Sequence, residues 1–432
     1  MTKPPSRIDP RVVKTFGETF VDGSALELVT PASSGRLALL FRKGGKKTIA
    51  SQIECSDLIY RPPDLDDAMW RAIRFPRDVK SYGLTGKLLR RIQQLFEQYV
   101  GLSKPDSAFI TAWVASSWFP DCLSSPPTLL ISGPDMAHAI TLFRLLHCVC
   151  RRPLLLADIS RSAFLSLASV GATLLINQPG LSPKIRDLWS TCNYRGVHVF
   201  GNGRCASVAT SKAIFLGMGE PRGGEGIHFA LRPASCDFSL LDEQQQSRIA
   251  DELQPQLLMY RLSNFETVRK LSAREFDSML PNTPVGRSLA ASVLGEADVV
   301  KLIAPILRTL EQDKITERGC DVHVAMIEVI WKIAHKDHEI GVSRLTELTN
   351  AVLRSRGEVL EYGASEIGWR LKNLGFARHR NGQGMILKFS YENRLLLHRI
   401  AAQAGLGLDR VKSCAICCPE DPVDDRKAMK VM

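Results

Sequence analysis

Residues 128–142, TLLISGPDMAHAITL, decide how this chain is read. They have the layout of a nucleotide-binding P-loop: a buried strand, a turn opening with Gly133-Pro134, then a helix. Against the pattern G-x-x-x-x-G-K-[ST], Gly133 fits, while His138, Ala139 and Ile140 stand where the second glycine, the lysine and the hydroxyl belong. Each missing group has a task. The glycine lets backbone wrap the phosphates, the lysine neutralises β/γ charge, and the hydroxyl ligates Mg²⁺. Thr141, one place late, is the remaining oxygen donor.

Further on, Ala172 to Ile176 is an apolar run ending in Asn177-Gln178. In P-loop ATPases the matching strand ends in Asp-Glu, the first acid supporting Mg²⁺ and the second orienting the attacking water. An amide keeps hydrogen-bonding shape but neither offsets a divalent cation nor takes a proton near neutral pH. Both catalytic elements are neutralised together, so no catalytic residue is assigned and no cofactor is expected.

Strand, turn and helix with one glycine is an ordinary connection, so a P-loop reading needs more support. An ordered series of apolar strands supplies it: TLLISG at 128–133, PLLLADI at 153–159, TLLINQ at 173–178, VHVFG at 197–201 and AIFLGMG at 213–219. The fold class expected is α/β, a P-loop NTPase-like parallel sheet core with further small domains. The stretch from Ala112 to Arg232, with AWVASSWFPDCL leading into TLLISGP, TLLINQP and AIFLGMG, resembles the ATPase core of primase-helicase-like proteins of phages and bacterial mobile elements. That resemblance implies a helical lid after the core and a role tied to DNA replication. The most specific motifs of such proteins are the ones absent here.

With 432 residues, 45% hydrophobic and 23% charged, the chain has the composition of a globular protein of several domains. Its longest uncharged stretch, Ser162 to Pro183, is broken by Gly171, Asn177, Gln178, Pro179 and Gly180, so no membrane span is expected. The basic start lacks an apolar segment of secretory type. Eleven scattered cysteines read as reduced, buried thiols, and the expected location is cytoplasmic. A net charge of +11 favours a polyanionic partner without naming it.

From Asp321 the period changes. Val324, Ile327, Ile330, Trp331 and Ala334 mark one amphipathic helix, and Leu345, Leu348 and Val352 a second after the turn at Gly341. A third begins near Ser365 as cap, carries Ile367, Leu371 and Leu374 inward, and stops at Gly375. Phe376 to Arg380, the turn Asn381-Gly382-Gln383-Gly384 and Met385 to Phe389 read as a hairpin. That order predicts a winged helix. Its candidate DNA contacts are Arg370, Lys372, Arg378, Arg380 and Lys388, with Tyr362, Asn373 and Gln383 as polar neighbours.

The remaining segments complete the expected organisation: a small β-rich domain over 1–76, a helical linker over 77–126, the core over 127–235, a helical lid-like segment over 236–320, the winged helix over 321–405 and a disordered tail over 406–432. Basic clusters such as Arg151-Arg152 read as solvated faces, and Arg261 and Arg269 as relics of a lid arginine or as salt-bridge residues. Cys414-x-x-Cys417-Cys418 has no second pair at zinc spacing, and His335 and His338 are too loosely placed to help, so no metal is expected. Gly217-Met218-Gly219 lacks the third glycine and the acidic partner of a dinucleotide site.

The function expected is therefore a non-hydrolysing P-loop-fold protein that binds DNA through its winged helix, an accessory or regulatory factor in replication or maintenance of a mobile element. A homo-oligomer or a replication protein is the expected further partner. Two alternatives stand beside it. One is an ATPase rebuilt around Thr141 with Lys212 or Arg204; the other is a scaffold whose winged helix binds protein. A different anion held at the helix N-terminus beside His138 is a further expectation.

Overall fold

The computed structural model describes residues 11–177, 193–218, 226–232, 241–273, 280 and 283–417, apart from 56, 161–162, 165–166, 168–169, 202–203, 208, 320, 359, 383, 404–405, 407–410, 412–413 and 415. The chain divides into two units at Leu310/Glu311. The first opens with short strands β1 (Arg11–Lys14), β2 (Gly17–Thr19), β3 (Ala25–Val29), β4 (Ala38–Lys43), β5 (Lys46–Ala50), β6 (Ile53–Cys55) and β7 (Leu58–Arg61). They form a β2-β3-β4-β5 sheet and a β1-β7-β6 sheet. Gly44 and Gly45, with φ of 53° and 84°, supply the two positive-φ positions of the tight turn joining β4 to β5.

Helices α1 (Asp67–Ala72), α2 (Thr85–Val100) and α3 (Lys104–Ser117) follow, then β8 (Thr128–Ser132), α4 (Met136–Val149), β9 (Pro153–Leu156), β10 (Thr173–Ile176), β11 (His198–Gly201), β12 (Arg204–Ser207), β13 (Lys212–Phe215) and β14 (Ile227–Ala230). Five of these strands make a parallel sheet in the order β14-β8-β13-β10-β9. β10 and β13 are buried along their whole length, because a parallel sheet covered on both faces needs apolar residues on both. This is a parallel α/β core of the kind expected, with four of its five strands those of the sequence series.

One strand of that series differs. VHVFG does not enter the parallel sheet: β11 pairs antiparallel with β12. Asn202-Gly203 between them is a strong sequence signal for a hairpin. The fifth place belongs to β14, paired with β8. Its IHFA sequence alternates buried Ile227 and Phe229 with half-buried His228, which hides it among apolar runs.

The β-rich start is not a separate body. Leu26, Leu28 and Leu39 share a core with Leu154, Leu174, Ile176 and Ile214 of the parallel sheet. On the opposite side of β3, Ala25 and Val29 join a second core with α2, α3, α4, Leu129, Ile131, Ala213 and Phe215. Helices α5 (Glu243–Ser272) and α6 (Pro284–Ser292) belong to that core as well. The segments expected as four domains over 1–320 thus share their cores, and the chain divides inside α7 (Ala297–Gly319) rather than at residue 320.

Glu27, between Ala25 and Val29, is only 3% exposed. Its carboxylate accepts from Arg151 at 2.7 Å, Arg152 at 2.7 Å and Arg261 Nε at 2.6 Å. Arg261 also makes a two-pronged contact with Asp121, at 2.7 and 2.6 Å. Arg151 and Arg152 are therefore buried ion-pair partners and not a solvated face. Arg261 takes the salt-bridge role, and Arg269 pairs with Glu266 at 2.9 Å. Burial pushes the Glu27 carboxyl up, but Arg151, Arg152 and Arg261 outweigh it and hold it at about 2.

The second unit contains α8 (Val322–Ala334), β15 (Glu339–Gly341), α9 (Val342–Ser355), α10 (Ala364–Asn373), β16 (Arg378–Asn381), β17 (Gly384–Lys388) and α11 (Tyr391–Gln403). The strands form an antiparallel sheet in the order β15-β17-β16. Ala325, Met326, Ile330, Leu345, Leu353, Ile367, Leu371, Leu387 and Leu397 make its core. Gly363, not Ser365, is the N-cap of α10, and Ser365 sits in its first turn. Gly375 ends the helix with φ of 88°. Within the tail expected to be disordered, Leu406, Val411 and Cys414 pack against this core and Cys417 is buried; residues 418–432 are outside the described residues. No helix among the described residues is long and apolar enough to cross a membrane.

Replacing Glu27 by alanine leaves three guanidinium groups facing each other without their carboxylate. Glu27→Ala should cost about 3–5 kcal/mol in urea unfolding, the range for removing one partner of a buried ion pair. The depressed carboxyl also sets a direction with pH. Its contribution is full above the ordinary value of 4.5 and is lost as pH falls through about 2, so acid unfolding followed by circular dichroism should begin at higher pH in Glu27→Gln than in the parent.

Candidate nucleotide loop and nucleic-acid face

Gly133, Pro134 and Asp135 make up the whole connection between β8 and α4. Gly133 N–H donates to the Gly217 carbonyl at 2.9 Å. A Cβ at Gly133 would stand 2.7 Å from the Leu231 carbonyl oxygen, so neighbouring backbone explains this glycine without any phosphate. Asp135 is the N-cap of α4, its carboxylate accepting from Ala137 N–H at 2.8 Å. Free N–H groups and the positive end of a helix are what such a loop offers a phosphate. Here the chain's own carboxylate occupies that end.

The motif positions beyond it are inside α4 and engaged. His138 is buried and donates from Nε2 to the Val100 carbonyl at 2.7 Å, so it does not face an anion at the helix start. Ala139 is fully buried and Ile140 half-buried. Thr141 Oγ1 donates to the Ala137 carbonyl at 3.0 Å, one turn back in the same helix.

Asn177 directly follows β10, and its N–H donates to the Leu156 carbonyl at 2.9 Å. Through Ile176↔Ile214↔Leu130 it is level with Ile131, two strand spacings or about 10 Å from β8. That is the carboxyl edge of the sheet, the side on which open α/β sheets hold ligands. Its Oδ1 is buried and has no hydrogen-bond partner among the described residues. Gln178 is outside the described residues.

Lys212 does not take the place of the missing lysine. It pairs with Thr128 at the start of β8, the far end from Gly133, and about 16 Å of strand separates those levels. Its buried Nζ donates to Asn193 Oδ1 at 2.7 Å and to the Thr210 carbonyl at 2.9 Å. Arg204 begins β12, with its side chain outside the described residues.

In the second unit the five basic candidates fall into different roles. Arg370 is half-buried, 3.6 Å from Glu366 and over the Tyr362 ring at 5.1 Å. Arg378 donates to the Gly368 carbonyl at 2.5 Å, joining the hairpin to α10. Lys372, Arg380 and Lys388 are exposed. Pleat alternation puts Arg380 on the same face of the hairpin as Arg378, the face toward α10, and Lys388 on the other. Trp369, 59% exposed on α10, was not singled out by the sequence pattern. Asn373 is exposed beside it, and Gln383 is outside the described residues.

The fold also alters the reading of the tail cysteines. Donor atoms of Cys414, Cys417, His335 and His398 are all within 4.8 Å of one another, a set that sequence spacing did not disclose. His338 is not among them, and Cys418 is outside the described residues.

No known family model matches the sequence, and no curated protein matches it. Among solved structures, the apo A form of the NrS-1 C-terminal region aligns over 84% of this chain and 96% of its own, at 8% identity and a TM-score of 0.33. A full-length MCM homologue from Methanopyrus kandleri aligns over 65% and 74%, at 12% identity and a TM-score of 0.31. Drosophila ORC bound to DNA aligns over 76% and 94%, at 11% identity and a TM-score of 0.18. Similarities this weak carry no functional argument.

Two substitutions check the role of the loop. Gly133→Ala should lower stability by about 1–3 kcal/mol through the clash with backbone. Asp135→Ala should cost about 1 kcal/mol as a lost cap. Denaturant unfolding measures both. Nucleotide binding by the parent that either variant alters would show that the loop does more than hold the backbone.

Proposed function

We propose that this chain is a non-hydrolysing P-loop-fold protein whose second unit is a winged helix that binds DNA. The observation that carries the reading is the three-residue loop closed by Asp135. Phosphoryl transfer depends almost wholly on positioning and charge neutralisation. At this loop the nearest fixed charge is negative, the lysine position is buried Ala139, and the strand-end acid is Asn177.

The order α8, β15, α9, α10, β16, β17, with β15 against β17, supports a winged helix whose third helix is α10. Lys372 and Asn373 on that helix and Arg380 on the wing supply exposed groups suited to phosphate and base edges. Arg370 and Arg378 hold the element in shape. A role as accessory or regulatory factor in replication, or in maintenance of a mobile element, rests on the resemblance of residues 112–232 alone. A homo-oligomer or a replication-protein partner belongs to the same proposal. The second reading is a winged helix that binds protein, favoured by the exposure of Trp369 at 59% and Leu360 at 65%.

Fluorescence anisotropy of labelled duplex DNA across a salt series tests this. The full chain should bind with strong salt dependence, unchanged by Mg²⁺-ATP. Lys372→Ala and Arg380→Ala should each weaken binding and lower the salt slope by roughly one. Absence of binding, or equal binding by both variants and the parent, would reject DNA contact through this face and favour the protein partner.

A further inference from the structure

His335 closes the C-terminal end of α8, His398 stands in α11, and Cys414 and Cys417 follow α11 in the chain. Cys417 Sγ is 3.3 Å from His335 Nε2 and 3.8 Å from His398 Nε2, and Cys414 Sγ is 3.7 Å from His398 Nε2. A tetrahedral zinc ion with bonds of about 2.3 Å to sulfur and 2.0–2.1 Å to nitrogen sets those atoms about 3.6 Å apart. The observed separations bracket that value. Two thiols and two imidazoles converge on one point, as four ligands of a closed site must.

The surroundings match as well. His335 Nδ1 donates to the Trp331 carbonyl at 2.7 Å, which fixes the tautomer and turns the Nε2 lone pair toward Cys417. Trp331 stands 4.7 Å from the His335 ring and 4.4 Å from the His398 ring, an apolar wall against the cluster. Cys417 is 8% exposed. A thiol at such a position without a metal would be a weak donor beside two imidazoles.

We propose that His335, His398, Cys414 and Cys417 form a structural zinc site that pins the segment after α11 onto α8. Two thiolates with two imidazoles in tetrahedral array select zinc over hard cations, which take oxygen ligands. With all four protein ligands engaged there is no open position for a catalytic water, so the site acts on folding and not on chemistry. Ligation releases the thiol protons and ties Cys414 and Cys417 to His335 at the end of α8 and His398 in α11. The inference is independent of DNA binding and of the nucleotide loop.

The full chain, expressed without a histidine tag and purified under reducing conditions without chelator, should carry one zinc ion per molecule by elemental mass spectrometry. Replacement by Co²⁺ should give the intense visible bands of a tetrahedral centre and a thiolate-to-cobalt charge-transfer band. Cys414→His should keep the metal and reduce that band by about half, since one of two thiolates is gone. Cys417→Ala and His335→Asn should lose it. Substoichiometric zinc in the parent together with a weak six-coordinate Co²⁺ spectrum would overturn the proposal, as would a Cys414–Cys417 disulfide in the freshly isolated chain; the parent measurement stands even where a variant fails to fold.

Discussion

One buried carboxylate joins the parts of the first unit. Glu27 comes from the β-rich start, Arg151 and Arg152 from the approach to β9, and Arg261 from the middle of α5. A carboxylate at this depth is stable only because the guanidiniums outweigh the cost of burial, and they in turn are stable only because Glu27 and Asp121 face them. The apolar cores on the two sides of β3 provide most of the stabilisation through area removed from water. The ion network connects one strand, one sheet end and one turn of α5 through charged contacts.

That division of labour explains how a P-loop-like sheet persists with its loop closed. The sheet is held by apolar strands, of which β10 and β13 are buried along their whole length. Gly133 remains a glycine because Leu231 backbone passes close by, and the start of α4 is satisfied by Asp135. Fold and phosphate binding are therefore separable demands on the same fifteen-residue stretch, and the contacts of Gly133 and Asp135 answer the first.

What could be read from sequence follows the range of the interactions. Buried parallel strands are continuous apolar runs, so four of them were visible, while β14 was masked by His228 and the hairpin of β11 imitated a core strand. The helices of the second unit were visible by their period, and Gly375 by its stop. Asp135 carries the ordinary signal of a cap, an aspartate just before a helix, at a position that the P-loop pattern leaves unspecified. Glu27 and its arginines were hidden because they meet across 124 to 234 positions. The His335, His398, Cys414 and Cys417 cluster was hidden for the same reason: local spacing finds ligands on one loop, whereas these come from two helices and a tail.

The most direct check of the closed loop is amide hydrogen exchange over residues 133–141 in the full chain, with and without millimolar Mg²⁺-ATP, beside calorimetric titration of the same nucleotide. The predicted result is identical exchange and no binding heat, because the Ala137 and Gly133 N–H groups already donate to Asp135 and the Gly217 carbonyl and the Asp135 carboxylate repels phosphate. Saturable Mg²⁺-dependent protection of this segment by ATP would contradict it and return the chain to the nucleotide-binding P-loop proteins.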